Sequence, residues 1–123
     1  MKIKTKEIAP LRESLLQEQG GYCAICCKVP VRPVLDHNHA HPGNIRGVLC
    51  NLCNTMEGRI YNNHKRHKID DLPSWLRQLA TYLEKHNENP STSIHPTYLT
   101  QDEKNERRKR INTRRRKQLK EQK

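Results

Sequence analysis

The sequence has no phenylalanine, one tryptophan (Trp75) and four tyrosines, and only 33% of its 123 residues are hydrophobic. A chain of this length accommodates one small domain with some additional helix, but not two full domains. With so few bulky apolar side chains, little surface can be buried to offset the entropy lost on folding. We therefore expect a metal ion, disulfides or a second copy of the chain to contribute to stability.

Long hydrophobic runs are also absent. No stretch approaches the roughly 18 apolar residues that a membrane span requires, and the charged N-terminus is not followed by the apolar core of a secretory signal. These absences argue against a membrane protein and predict a cytoplasmic location. In a reducing cytoplasm, the five cysteines are expected to bind metal rather than to form disulfides.

Positive charge is abundant, and it is unevenly distributed. Of the net charge of +11, residues 101–123 contribute +7, from 11 Lys and Arg against 4 acidic residues. A basic arm on a mildly basic body predicts nucleic-acid binding, although a solvated charged helix would also explain the charge run alone. Since only Ile111 and Leu119 could form an apolar face, a membrane-surface anchor is disfavoured. We expect this arm to be frayed or disordered unless bound.

Local patterns predict an α+β protein that is mostly helical. The predicted elements are a helix from near Pro10 to Gly20 and Gly21, short strands at 32–36 and 47–49, a helix at 52–61, and a helix from an N-cap at Asp70 or Asp71 to about His86. The last helix has the strongest periodic signal, because its apolar residues recur at helical spacing from Leu72 to Leu83.

Two Cys-x-x-Cys pairs, Cys23 with Cys26 and Cys50 with Cys53, are separated by 23 residues. A two-residue gap lets a tight turn direct both thiolates at one ion, and two such turns complete a tetrahedral shell. With four protein ligands and no open position, the predicted zinc ion is structural, one per chain. Buried or disulfide-bonded cysteines are the alternative, and the spacing leaves Cys27 as a spectator thiol.

Between the zinc pairs, Asp36 and His37 are adjacent, and Asn54 directly follows the second pair. Carboxylate and amide oxygens suit Mg²⁺, and a neutral histidine can accept a proton from an attacking water. Asp36 and Asn54 are therefore the predicted Mg²⁺ ligands, and His37 the general base, of a metal-assisted phosphodiester cut. An isolated Asp-His dipeptide is usually a surface pair, so this prediction depends on its position between the zinc pairs.

Four segments of the chain together match a known pattern. They are Cys23-x-x-Cys26, the run LDHNH at 35–39, the run VLCNLCN at 48–54, and Glu57-Gly58. This set resembles the recombination endonuclease VII family of tailed phages, and the similarity extends over about residues 10–98. The resemblance implies a four-cysteine zinc element that carries a His-Me finger (ββα-metal) site, followed by long helices that interlock two subunits.

The resemblance further implies an endonuclease that uses a divalent ion to cut branched DNA, such as four-way junctions, in phage recombination or packaging. A phage-encoded member would act in the host cytoplasm as a homodimer. By position, the resemblance assigns Mg²⁺ to Asp36 and Asn54 and the role of general base to His37. It implies that His39 contacts phosphate or supports the site, and that Glu57 is an additional acidic group.

We therefore predict three segments: a zinc-bound His-Me finger nuclease domain at 1–62, a dimerisation helix and linker at 63–98, and a basic arm at 99–123. Two alternatives are a less selective nicking nuclease of the HNH type and a non-catalytic zinc-ribbon protein that binds DNA. The set of Asp36, His37 and Asn54 favours a nuclease, because a binding module needs no base beside metal ligands.

Overall fold

The computed structural model describes residues 1–122 and contains two compact units, Met1–Leu79 and Ala80–Lys123. Lys123, the last residue of the predicted basic arm, lies outside the described residues. The described elements are α1 (Ile8–Glu18), β1 (Pro33–His37), β2 (Ile45–Cys50), α2 (Asn51–His64), α3 (Leu72–Glu88) and α4 (Gln101–Glu121). The prediction of a mostly helical α+β protein is confirmed. None of these helices has the length and hydrophobicity needed to cross a membrane.

The first helix begins two residues before the predicted start at Pro10, after a 3₁₀ turn at Thr5–Glu7. Pro10 is tolerated because it lies in the first turn, where its missing N–H has no helical partner. As predicted, glycines end the helix. Gly20 and Gly21 have φ angles of 73° and 84°, and the Gly21 N–H donates to the Leu16 carbonyl at 2.8 Å.

The two strands form an antiparallel hairpin with an irregular register. Asp36 is opposite Gly47, but His37 is opposite Ile45, so Arg46 is an extra residue on β2. Such a β-bulge bends the strand and changes the direction of a side chain, and bulges are common beside active sites. The sequence predicts both strands, with bounds that differ from the observed ones by one or two residues at each end.

The side chain of Gln19 connects the end of α1 to β2. Its Oε1 accepts from the Val48 N–H at 2.8 Å, and its Nε2 donates to the carbonyls of Val48 and Tyr22, each at 2.9 Å. A Cβ at Gly47 would lie 2.9 Å from that same Oε1, so a side chain at this position would displace the Gln19 amide. Gln19 thus satisfies the edge of β2 in the way a third strand would.

The buried apolar core of the first unit is small. Among the described residues, the buried hydrophobic side chains are Cys23, Val48 and Leu49, each at most 4% exposed. Burial of three such side chains contributes little against the entropy of ordering about eighty residues. This small core is consistent with the expectation that the fold needs a further source of stability.

Helices α2 and α3 start at defined caps. Cys50 is the N-cap of α2, and its Sγ accepts from the Cys53 N–H at 3.4 Å. Asp71 caps α3 as predicted, since its Oδ1 accepts from the Ser74 N–H at 3.1 Å. Helix α2 begins one residue earlier and ends three residues later than predicted, at His64.

In the second unit, α4 is continuous over Gln101–Glu121. The prediction of a frayed or disordered segment was wrong for these residues. Thr100 and Glu103 form a capping box, with hydrogen bonds of 3.2 and 3.4 Å, and the many Lys, Arg, Gln and Glu residues are strong helix formers. All α4 side chains are exposed, so this helix is stabilised by local interactions rather than by burial.

Candidate active site

The four predicted zinc ligands lie together. The Sγ atoms of Cys23, Cys26, Cys50 and Cys53 are within 4.8 Å of one another, and those of Cys26 and Cys50 are 3.9 Å apart. Tetrahedral Zn–S bonds of about 2.3 Å require sulfurs about 3.8 Å apart, so this donor set fits zinc. The cluster could therefore hold one zinc ion, with no ligand position left open for chemistry.

Local backbone geometry explains why each pair converges. In the first pair, the Cys23 N–H donates to the Lys28 carbonyl at 2.8 Å and the Cys27 N–H donates to the Cys23 carbonyl at 3.0 Å. Cys27 has a φ of 59°, which closes this tight turn. Its side chain is exposed, and Cys27 is not a member of the four-sulfur cluster.

Two thiols of the cluster have pKa values that are shifted in opposite directions. Burial of Cys23 opposes ionisation, but hydrogen bonds from the backbone at Cys26, Cys50 and Ile25 and from the Cys26 side chain lower its pKa to about 6. The hydrogen bond with Cys50, followed by desolvation, raises the pKa of Cys53 to about 12. The lowered pKa favours the thiolate of Cys23, which is the form of cysteine that binds zinc.

A second cluster lies on the hairpin and α2. Ligand atoms of Asp36, His39 and Glu57 are within 4.8 Å of one another, and His39 Nε2 is 2.8 Å from Glu57 Oε2. Asp36 is 6% exposed and is the buried charged residue of the described chain. The three groups come from β1, the loop after it and α2, so the hairpin-plus-helix arrangement brings them together. The cluster offers oxygen and nitrogen ligands to a cation.

Arg46, which the sequence analysis did not identify, contacts both carboxylates of this cluster. Its Nε donates to Asp36 Oδ2 at 2.7 Å and its Nη2 to Asp36 Oδ1 at 3.2 Å, while Nη2 is 3.0 Å from Glu57 Oε1. The hydrogen bond with Asp36 raises the pKa of Arg46, burial lowers it, and Glu57 raises it further. Only the register of the hairpin indicates this contact, because Asp36 lies opposite Gly47 and Arg46 directly precedes Gly47.

His37 is exposed at the end of β1. It lines a cavity of about 750 Å³ together with residues 1–3, the loop at 38–44 and Ile45 at the start of β2. This loop is tight, because the Asn38 N–H donates to the Asn44 carbonyl at 2.7 Å and Gly43 has a φ of 80°. The rings of His37 and His39 are 5.9 Å apart. His37 is therefore accessible to a large substrate beside the acidic cluster.

Asn54 is half-buried on α2, directly after Cys53 of the four-cysteine cluster. It precedes Glu57 by three residues, a spacing that puts two side chains on the same side of a helix. Any shift of the cysteine cluster would move this part of α2 as well. Asn54 is thus coupled through the backbone to the cysteine cluster.

Tyr61 is a second residue that the sequence analysis did not identify. Its ring stacks on His39, with centroids 4.7 Å apart and an interplanar angle of 23°. Tyr61 also contacts His64, whose ring centroid is 4.8 Å away. This stack and the bond to Glu57 hold the His39 ring from two sides. The sequence offered no signal for it, since the two residues are 22 positions apart.

The geometry agrees with a comparison to known families. Residues 2–85 match the family model described as recombination endonuclease VII. The chain belongs to the recombination endonuclease VII family. The match includes both cysteine pairs, the hairpin, α2 and most of α3, and it ends before α4. Because the recombination endonuclease VII family is a family of nucleases, membership implies endonuclease activity and DNA as the substrate.

Proposed function

We propose that this chain is a Mg²⁺-dependent endonuclease that hydrolyses phosphodiester bonds in branched DNA. The observation that carries the proposal is the cluster of Asp36, His39 and Glu57, within 4.8 Å of one another, on a hairpin and helix joined to four zinc-binding cysteines. In this proposal Asp36 and Asn54 hold Mg²⁺, and zinc at the cysteines keeps the two elements in register.

Each residue has a distinct proposed task. Bound Mg²⁺ supplies positive charge that stabilises the phosphate and the departing oxygen. The exposed imidazole of His37 accepts a proton from the water that attacks phosphorus. His39 contacts the phosphate, with its ring orientation fixed by Glu57 at 2.8 Å and by the Tyr61 stack. Glu57 adds negative charge that favours cation binding beside Asp36.

We also propose a homodimer. The apolar side chains that recur along α3 include several that are exposed in the single chain: Trp75 at 40%, Tyr82 at 61% and Leu83 at 49%. Exposed apolar side chains that recur along one helix are commonly covered by another chain. Two active sites in one dimer could cut two strands, as resolution of a junction requires. Sedimentation or light scattering of the zinc-loaded protein would measure the oligomeric state.

The substrate class is tested by comparing two DNAs under one condition. Zinc-loaded protein is incubated with Mg²⁺ and either a labelled four-way junction or a linear duplex of the same arm sequence, under single-turnover conditions. Preferential cleavage of the junction supports the proposal. Equal cleavage of both would indicate a less selective HNH-type nicking nuclease. Binding without cleavage of either would indicate a zinc-ribbon DNA-binding protein.

Replacing Asn54 with aspartate tests its proposed place on the metal. We expect turnover to fall by about tenfold or more while metal binding persists, because the added carboxylate can hold Mg²⁺ but reduces the net positive charge that acts on the phosphate. The measurement is the single-turnover rate across a Mg²⁺ titration. The control is Asn62→Asp, which introduces the same charge at an exposed position of α2. Unchanged activity of the Asn54 variant at all Mg²⁺ concentrations would show that Asn54 is not a Mg²⁺ ligand.

Truncation after Thr100 should separate DNA affinity from chemistry. The arm at 101–123 contributes +7 of the net charge but none of the proposed catalytic groups. Since each phosphate contact on duplex DNA contributes about −0.9 to the slope of log affinity against log salt, truncation should weaken binding and flatten the slope. Truncation should reduce the affinity for junction DNA more than the affinity for linear duplex DNA, because an extended helix can follow a second duplex arm. Single-turnover cleavage at saturating protein should stay near normal.

A substitution variant shows whether the effect of truncation comes from the loss of positive charge or from the loss of helix α4 itself. Changing Arg114, Arg115 and Arg116 to glutamine removes three charges, keeps good helix formers, and should flatten the slope partly. If truncation leaves the salt dependence of DNA affinity unchanged, α4 is a solvated helix without a role in binding. Loss of cleavage at saturating protein would instead make it part of the dimer or the active site.

A further inference from the structure

The carboxylate that is the proposed metal ligand already has a cation bound to it. Both oxygens of Asp36 accept from Arg46, at 2.7 and 3.2 Å, and the same guanidinium is 3.0 Å from Glu57. One cation thus bridges the two carboxylates of the acidic cluster. Asp36 is almost inaccessible, with 7% of its side chain exposed, so a bare charge at this position would be costly.

Arg46 and a divalent ion compete for Asp36 in this geometry, because both of its oxygens already accept from the guanidinium. A metal ion bound to a carboxylate oxygen is about 2.1 Å from it, while the guanidinium nitrogens are 2.7 and 3.2 Å from the same two oxygens. A metal ion at that distance would also lie close to the guanidinium, and two positive charges repel strongly where solvent is limited. This repulsion favours at least partial withdrawal of Arg46 when a metal ion binds at Asp36.

The position of Arg46 allows such a withdrawal. It is the extra residue of the β-bulge, so it is not directly paired with a residue of β1, and its side chain is 39% exposed. Its neighbour Gly47 carries no side chain that would restrict the movement. A long side chain at the rim of the cluster can move into solvent while Asp36 stays in place on β1.

On the basis of the proposed metal site, we propose that Arg46 is a positioning residue that exchanges with the divalent cation. In the metal-free protein it neutralises Asp36 and Glu57 and holds them in the geometry that the metal later uses. When the divalent ion binds, Arg46 releases Asp36. The exchange lowers the apparent affinity for metal but prevents repulsion between the two carboxylates from opening the site.

The exchange is tested by measuring Mn²⁺ affinity rather than cleavage. Zinc-loaded wild-type protein, Arg46→Gln, Arg46→Lys and Asp36→Asn are titrated with Mn²⁺ by calorimetry or by the electron paramagnetic resonance signal of free Mn²⁺. Arg59→Gln is the matched control, because Arg59 is exposed on α2 and its loss removes the same charge. Melting temperatures are measured with and without Mn²⁺, and zinc content verifies the fold.

We expect Arg46→Gln to bind Mn²⁺ roughly tenfold more tightly than wild type, because the competing charge-assisted bonds are gone. Its melting temperature should be lower without Mn²⁺ and should rise more than that of wild type on saturation. Arg46→Lys, which keeps one charge without the fork of donors, should be intermediate. Arg59→Gln should bind as wild type does.

Two results would overturn the exchange in distinguishable ways. If Asp36→Asn loses Mn²⁺ binding but Arg46→Gln binds no more tightly than wild type or Arg59→Gln, the metal site stands and the exchange is wrong. If Asp36→Asn binds Mn²⁺ as wild type does, the proposed metal site fails, and the exchange fails with it.

Discussion

Replacing Cys50 with serine is expected to abolish cooperative folding of the nuclease unit. The substitution opens the four-sulfur cluster, in which the Sγ of Cys50 is 3.9 Å from that of Cys26, and removes the sulfur that caps α2. Binding of structural zinc contributes apparent energies on the order of 10–16 kcal/mol in small domains. This is as large as the whole stability of a typical domain, about 5–15 kcal/mol, and the apolar core here is too small to replace it.

The matched control for this variant is Cys27→Ser. Cys27 is exposed and lies outside the cluster, so its loss should leave zinc content and melting temperature close to those of wild type. Metal analysis should find about one zinc per chain in both wild type and the control. A wild-type preparation that contains no metal and melts at the same temperature as the zinc-loaded protein would contradict the structural role of zinc.

Replacing His37 with alanine is expected to reduce cleavage by about 10²–10⁴-fold while folding and DNA binding persist. Removal of a general base typically has an effect of this size. His37 is exposed and belongs to neither the sulfur cluster nor the Asp36–His39–Glu57 group, so its removal should disturb neither. The measurement is the single-turnover rate in Mg²⁺, with DNA affinity measured separately in Ca²⁺.

His67→Ala provides a control for that loss. His67 is exposed on the segment that follows α2, and no role is proposed for it. This variant should cleave at the wild-type rate. If His37→Ala also cleaves at that rate, with zinc content and melting temperature verified, another group accepts the proton and the assignment of the base is wrong.

The sequence predicted those features that depend on short-range spacing. The cysteines of each pair converge through local geometry, a tight turn at Cys23–Cys26 and the first turn of α2 at Cys50–Cys53. The glycines after α1 and Asp71 before α3 also act within one helical turn. The ends of α2 and the presence of a continuous α4 were predicted less well than these local features. The capping box at Thr100 stabilises α4 more than its lack of an apolar face suggests.

The contacts that the sequence did not indicate depend on register and on long-range packing. Arg46 reaches Asp36 and Glu57 because one extra residue in β2 changes the pairing after Asp36, and a bulge has no composition signal at this position. Tyr61 meets His39 only once α2 packs beside the hairpin. Both contacts shape the electrostatics and orientation of the acidic cluster, so the sequence indicated the candidate residues but not how they are held.

The most direct test of the central claim is Mg²⁺-dependent cleavage by a pair of carboxylate variants. Zinc-loaded wild type, Asp36→Asn and the control Asp70→Asn, which changes an exposed residue, are purified in parallel and incubated with labelled four-way junction DNA. Each is assayed in Mg²⁺, in Ca²⁺ and without divalent ions. The account predicts that wild type and Asp70→Asn cut the DNA only in Mg²⁺, and that Asp36→Asn loses at least about 10²-fold in rate. Equal cleavage by Asp36→Asn, or cleavage by wild type at the same rate without divalent ions, would contradict it.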